Sequence, residues 1–358
     1  MTDDKNYSER AIQLVEDNLV MSNATGFRGG GPGAPVALME PEKLRAEDLA
    51  KYEGSGFNVG NGMTGSVGPD HFACFLRAFN GWNAAFAANE SLLMRVDCAA
   101  DIDRAVETGR LGLFVGSHGA EHFRTLDDID TFFEIGQRHA ILINYVQNFI
   151  GSGFLESQDS GLSMFGRSVI KHMNEIGMVV DLAHASTRTK LDTFSITTKP
   201  VMIGHGNCFA LNPIIDNDSD EIIKALAETG GVFGVAALRR LVVADGPATL
   251  EDFLNHIDHC VSLVGVEHVA LGLDAPIEGW DSLPLEGQPK QPAFMAEIYN
   301  VDGKVDGALG KMDIPEITHT QGFFEITDGL IGRGYSDDDI RAILGGSLKR
   351  VLSEIWSA

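Results

Sequence analysis

The chain has 358 residues, 44% of them hydrophobic, and its 27 Lys and Arg against 51 Asp and Glu give a net charge of −24. Such an acidic chain disfavours nucleic acid and anionic membrane surfaces as partners, because both attract basic patches. The polar N-terminus has no secretory-signal pattern, and no apolar run reaches the roughly 18 residues of a spanning helix. Four scattered cysteines without a CxxC pair fit free thiols in a reducing compartment, so we expect a cytoplasmic protein.

Short apolar or β-branched runs, each followed by a helical pattern, recur along the chain. Several are continuously apolar, such as MVVDL and PVMIG, which is typical of parallel strands buried on both faces. Eight such runs alternating with helices predict one closed (β/α)8 barrel. A doubly wound sheet is the alternative, but no GxGxxG or GxxxxGK[ST] motif opens a strand–helix turn. The predicted strands are Asn18–Met21, Phe57–Asn61, Gly112–Ser117, His139–Tyr145, Met178–His184, Pro200–His205, Gly231–Ala236 and His268–Asp274.

Two helices have clear end signals, and two segments do not fit the barrel pattern. Ser163–Gly177 has a capping serine and a terminal glycine, and Ser336–Trp356 begins with acidic residues that favour the helix dipole. We predict a single domain, residues 1–358, with loop insertions at 26–56 and 275–320. Because both insertions follow strands, they are expected either to overhang the catalytic face or to be plain surface loops.

Polar side chains that end four of the predicted strands are the strongest functional signal. In a barrel the carboxyl ends of the strands converge around one axis, so these side chains can meet at one point. Neutral imidazoles with a carboxylate suit zinc or a similar divalent ion, and three protein ligands leave a fourth position for water. The residues are His118, His184, His205 and Asp274, with Glu121 and His122 just beyond the first.

Four stretches of the chain resemble the membrane (renal) dipeptidase family of the amidohydrolase superfamily. They are SGLSMFGRSVIKHMNEIGMVVDLAHAS, KPVMIGHGN, DFLNHIDHCVSLVGVEHVALGLD and the tail GRGYSDDDIRAILGGSLKRVLSEIW. The resemblance runs over about residues 97–274 and 322–356. It implies an amidohydrolase-like TIM barrel in which His184 and His205 bind metal. Asp274 would support the metal site and handle the proton.

The chain departs from the family's two-metal pattern at the first ligand pair. Family members use a His-x-Asp after the first strand, where this chain reads NLVMSNATGF with Asn23 and Thr25. His118 falls where the family has a bridging Glu, although Glu121 lies close by. Neutral Asn and Thr are poor ligands for a dication that would otherwise meet a carboxylate. We therefore predict one zinc ion held by three histidines, with Asp274 as general base.

The residues expected to contact the substrate also differ from the family pattern. Asn144 stands where the family has a substrate-contacting His, and the loop after His205 lacks the Arg that clamps a substrate carboxylate. This loss argues against ordinary dipeptides and favours another amide or peptide-like bond in a small molecule. The candidate substrate-binding residues are Asn23, Glu121, His122 and Asn144.

Three functions remain open from the sequence. The first is a metal-dependent, dipeptidase-like hydrolase, and the second is a lyase or isomerase on the same barrel with one metal or none. The third is a catalytically inactive binding protein, although a site without catalysis has no need for polar groups at the barrel mouth. The sequence leaves open whether the chain forms a homodimer.

Overall fold

A computed structural model describes residues 7–25, 40–65, 70–281 and 312–356 of the chain. Its single sheet is parallel, and eight strands follow one another in the order β1-β2-β4-β5-β6-β7-β8-β9. The strands are β1 Met21–Ser22, β2 Val59–Thr64, β3 Leu93–Arg95, β4 Leu111–His118, β5 Gln137–Ile141, β6 Val179–Asp181, β7 Met202–Gly206, β8 Val232–Val235 and β9 Val269–Leu271.

Helices separate most of the strands and cover the outside of the sheet. They are α1 Glu9–Glu16, α2 Ala46–Leu49, α3 His71–Ala88, α4 Ala99–Thr108, α5 Leu126–Glu134, α6 Met164–Ile176, α7 Thr187–Phe194, α8 Asp220–Glu228, α9 Arg239–Val242, α10 Leu250–Val264, α11 Gly322–Gly332, α12 Asp337–Arg341 and α13 Ser347–Ile355, with a π-helical turn at Ala342–Gly346. None of the described helices is long and apolar enough to span a membrane.

The first and last strands meet, so the sheet closes into the predicted (β/α)8 barrel. The backbone N–H of Asn23 donates to the carbonyl of Leu271 at 3.0 Å, and the N–H of Leu273 donates to Ser22 Oγ at 3.2 Å. Each predicted strand corresponds to an observed one, shifted by a few residues. The short β3 was not predicted; it pairs with the amino-terminal end of β4, on the edge that β5 occupies further along.

Inward-facing side chains fill the barrel in layers, because alternate residues of a strand point to the same side. The amino-terminal layer is apolar and includes Val59, Phe114, Val179 and Met202, against which α13 packs. Two residues further along the same four strands, the layer changes to Asn61, Asp181 and two glycines, Gly116 and Gly204. A Cβ at either glycine would overlap the polar side chains of this layer.

The two helices with clear sequence signals are confirmed. Ser163 caps α6 by accepting a hydrogen bond from Gly166 N, and Gly177 ends it with a φ of +77°. Ser336 forms a capping box with Asp339 at the start of α12, and the π-helical turn joins α12 to α13. The predicted insertions are described only in part, because residues 26–39 and 282–311 lie outside the described ranges.

Candidate metal centre and active site

Three histidines meet at the carboxyl ends of neighbouring barrel strands. His118 is the last residue of β4, His184 follows β6, and His205 lies in β7. One ligand nitrogen from each of the three rings lies within 4.8 Å of the other two. His184 and His205 are 5% and 3% exposed, while His118 is partly exposed, so the cluster is accessible from the side of His118.

A break in strand alternation turns His205 toward this cluster. Its neighbour Gly204 already faces the barrel interior, so strict alternation would turn His205 outward. The pairing of β7 with β8 shifts register between Ile203 and Gly206, however, and such irregularities re-aim side chains. As a result, His205 Nε2 lies 2.9 Å from His184 Nε2.

The surroundings of His118 and His205 keep these two rings neutral. Burial, followed by repulsion from the other two histidines, holds the pKa of His118 well below its usual range. Burial and the neighbouring His184 lower the pKa of His205 to about 3. Both rings are therefore neutral at neutral pH and offer nitrogen lone pairs, which is the state that ligates metal.

The donor set fits one divalent ion. Three imidazoles are the ligands of a catalytic zinc site with an open fourth position. The Nε2 atoms of His184 and His205 face each other at 2.9 Å, so both rings direct a nitrogen to the same point. These three residues are also the only His, Cys, Asp and Glu group in the described ranges that meets ligand spacing.

Asp274 lies at the same end of the barrel, directly after β9. Burial raises the pKa of its carboxyl group to about 6, although the charges of Arg240 and His184 oppose that shift. The carboxylate therefore interacts electrostatically with the histidine cluster without belonging to the ligand group. A carboxylate with a pKa near neutrality, near a histidine cluster that could hold a metal, is suited to general acid–base chemistry.

Backbone strain is concentrated at the end of the barrel where the carboxyl ends of the strands lie. The four described non-glycine residues with positive φ are Ala24, Tyr145, His184 and Asp274, with φ between 52° and 67°. Each follows the end of a barrel strand, and two of them are predicted site residues. Such conformations persist where the surrounding structure enforces them, and they are frequent at functional sites.

Asn23, a predicted substrate contact, lies in the polar layer inside the barrel. Its Nδ2 donates to Asp181 Oδ2 at 3.3 Å, and its Oδ1 accepts from Asn61 Nδ2 at 3.0 Å. His139 binds the same carboxylate oxygen through Nε2 at 2.8 Å. Asn23 is 1% exposed, so the network occupies both ends of its amide.

The structure separates the other three candidate substrate residues. Glu121 is partly exposed and accepts from Asn148 Nδ2 at 3.2 Å, and Asn144 is partly buried just after β5. His122, by contrast, is fully buried, and its ring packs on Phe75 at a centroid distance of 4.1 Å. The structure therefore does not bring His122 to the histidine cluster.

Sequence reasoning missed two charged residues of the site. Asp216, in the loop after β7, has its Oδ1 3.3 Å from His184 Nδ1. Burial opposes its ionisation, but the hydrogen bond to His184 and the nearby charges of His184 and Arg240 lower its pKa to about 2. Arg240, in α9 after β8, places Nη2 3.9 Å from Asp216 Oδ2. The run of acidic residues after His205 was the one available signal for Asp216.

Comparison with known proteins identifies the family. The sequence profile of the membrane dipeptidase family (peptidase family M19) matches residues 55–311. The chain belongs to this family. It is 27% identical over 252 residues to the dipeptidase aclJ of Aspergillus oryzae and 25% identical over 260 residues to the dipeptidase verJ of Clonostachys rogersoniana. These alignments take in 69% and 72% of this chain but only 52% and 58% of the relatives.

Solved structures share the fold of this membrane dipeptidase family member. An amidohydrolase from Pseudomonas aeruginosa superposes with a TM-score of 0.80 at 23% identity, covering 97% of this chain and 99% of the other. A metallo peptidase from Rhodobacter sphaeroides, liganded with a phosphinate mimic of the dipeptide L-Ala-D-Ala, gives 0.70 at 16% identity over 95% and 99%. At these identities the likeness establishes the barrel fold alone.

Proposed function

We propose that this chain is a metal-dependent hydrolase that cleaves an amide or peptide-like bond in a small molecule. We further propose that it holds one zinc ion through His118, His184 and His205. The convergence of these three histidine rings, with ligand nitrogens within 4.8 Å of one another, is the observation that carries the proposal. Membership of the membrane dipeptidase family supports the type of bond.

The contacts of Asn23, and the neutral side chains of both Asn23 and Thr25, support one ion rather than two. These residues occupy the positions at which the family resemblance implies a His-x-Asp ligand pair. Both are 1% exposed, and the Asn23 amide is already hydrogen-bonded at both ends to Asp181 and Asn61. Recruiting it to a metal would break two buried hydrogen bonds and would supply only a neutral ligand.

Asp274 has a defined role in such a hydrolysis. A divalent ion held by His118, His184 and His205 would supply polarisation of the scissile carbonyl and acidification of a water molecule. Asp274 accepts the proton of the attacking water as the new C–O bond forms at the carbonyl carbon. It then returns that proton to the leaving nitrogen as the C–N bond breaks, so the carboxylate is regenerated. Its raised pKa suits both steps.

Metal stoichiometry tests this proposal directly. Elemental analysis and zinc titration of the chelator-treated protein should give about one equivalent per chain. A screen of small amides, lactams and N-acyl amino acids should yield a substrate whose hydrolysis stops on chelation and resumes with zinc. Two equivalents would contradict the one-ion assignment, and none would favour a metal-free lyase, isomerase or binding role.

A further inference from the structure

We propose that Asp216 is a positioning residue that fixes the tautomer of His184. In this arrangement the proton of the His184 ring lies on Nδ1, so that Nε2 presents its lone pair to the point shared with His118 and His205. The metal part of this inference rests on the proposed function, whereas the tautomer is a property of the protein without metal. The family resemblance assigns no role to Asp216, and sequence reasoning missed it.

The hydrogen-bond geometry at His184 supplies the first step of the argument. A carboxylate accepts hydrogen bonds only, so the contact of Asp216 Oδ1 with His184 Nδ1 requires the ring proton on that nitrogen. A neutral ring then carries no proton on Nε2. His205 Nε2, 2.9 Å away, donates to this bare nitrogen in the absence of metal. A ligating histidine that donates its other N–H to a carboxylate is an arrangement that raises ligand basicity and fixes ring orientation.

Asp218 anchors the end of the loop that carries Asp216. Its carboxylate pairs with the ammonium of Lys190 on α7, and both side chains are 6% exposed. The Asp218 backbone N–H donates to Asn207 O at 2.9 Å, and its carbonyl accepts from Phe209 N at 2.8 Å. The loop therefore returns to the end of β7 only two residues beyond Asp216.

Two buried asparagines anchor the middle of the same loop to α9. Asn212 Nδ2 donates to the carbonyls of Arg240 and Leu241, at 3.0 Å in each case. Asn217 Nδ2 donates to Leu241 O at 2.9 Å and to Asn212 O at 2.8 Å. Because α9 also carries the guanidinium 3.9 Å from Asp216, the loop and its countercharge are held together. This is a built support for one carboxylate, since the anchoring side chains of Lys190, Asn212, Asn217 and Asp218 are all buried.

The experiment compares Asp216→Asn with wild type and with Asp130→Asn. The asparagine keeps the shape of the side chain, but its amide can rotate to offer either an oxygen or an N–H, so it no longer selects one tautomer. Asp130 on α5 forms a similar pair with the Nε2 of His172 on α6, at 2.7 Å. This pair lies away from the histidine cluster, so Asp130→Asn serves as the matched control. The tautomer is read from the ring ¹⁵N shifts of His184 in the metal-free protein, and zinc affinity from competition with a chelator.

We expect wild type and Asp130→Asn to show His184 protonated on Nδ1. Asp216→Asn should lose that preference and bind zinc about 10- to 100-fold more weakly. His184 protonated on Nε2 in wild type would overturn the inference even if the variant fails to fold. A folded Asp216→Asn protein that keeps the wild-type tautomer of His184 and the wild-type zinc affinity would also overturn the inference. An Asp216-dependent tautomer in a protein that binds no zinc would support the positioning role and refute the proposed metal function.

Discussion

The Nε2 atoms of His184 and His205 lie 2.9 Å apart, within hydrogen-bonding distance of each other. In the metal-free chain, one of these nitrogens carries the proton and donates it in a hydrogen bond that the other nitrogen accepts. An ion held by both rings would take the place of that proton, so the contact marks the two nitrogens that the proposed metal would share.

Removing one of these rings should abolish metal binding. In His184→Ala, only two imidazoles remain, and two imidazoles hold a dication weakly. We expect zinc affinity to fall by more than the roughly 10- to 100-fold typical of changes outside the ligand shell, and hydrolysis to fall with it. His172→Ala, at a partly exposed histidine on α6, is the matched control. Retention of zinc by His184→Ala would place the ion elsewhere.

Asp274→Asn should separate catalysis from metal binding. The amide keeps the shape of the side chain but removes its basicity, so turnover should fall by about 10²- to 10⁴-fold while zinc content is unchanged. The wild-type rate should decline on the acid side at or below about pH 6, because the carboxyl pKa is about 6 without metal and a nearby dication lowers it. Turnover by the variant at the wild-type rate would end this mechanism.

The same variant should stabilise the metal-free protein. Burial raises the folded-state pKa of Asp274 from 3.8 to about 6, so the folded state binds more protons than the unfolded state between these values. The free energy of unfolding therefore decreases as pH rises from about 4 to about 6, and the penalty remains above that range. Asp274→Asn should lose this pH dependence, and its free energy of unfolding at pH 7 should rise by at most about 3 kcal/mol. The increase should be smaller than this limit because the side chain is partly exposed to solvent. Denaturant unfolding across pH measures it, and a loss of stability would indicate a structural hydrogen bond instead.

Ordinary dipeptides should be poor substrates. The loop after His205 lacks the arginine that the family resemblance places on a substrate carboxylate, so Ala-Ala should turn over slowly or not at all compared with a good amide substrate. A dipeptide panel assayed with zinc measures this. Rapid cleavage would mean that another cation binds the carboxylate, and Arg240 in α9 would be the residue to replace next.

The alternation of apolar strands and helices was sufficient to predict the barrel from the sequence. Burial of parallel strands on both faces leaves a strong local signal, as in the run that ends at Asp181, and helix caps such as Ser163 are equally local. His118, His184 and His205 were predictable as one cluster because barrel topology brings the carboxyl ends of strands together. The short strand β3 was not predicted because three residues are too few to show the hydrophobic pattern of a strand.

Only the tertiary structure decided which partners each of these side chains has. Asp216 is an unremarkable loop acid in the sequence; its contact with His184 depends on anchors to α7 and α9, 26 and 24 residues away at Lys190 and Arg240. Asn23 looked available to substrate, yet closing the barrel placed its amide against Asp181, 158 residues away. Strand-end position is a local property of the chain, whereas hydrogen-bond partners are set by long-range packing that no local pattern encodes.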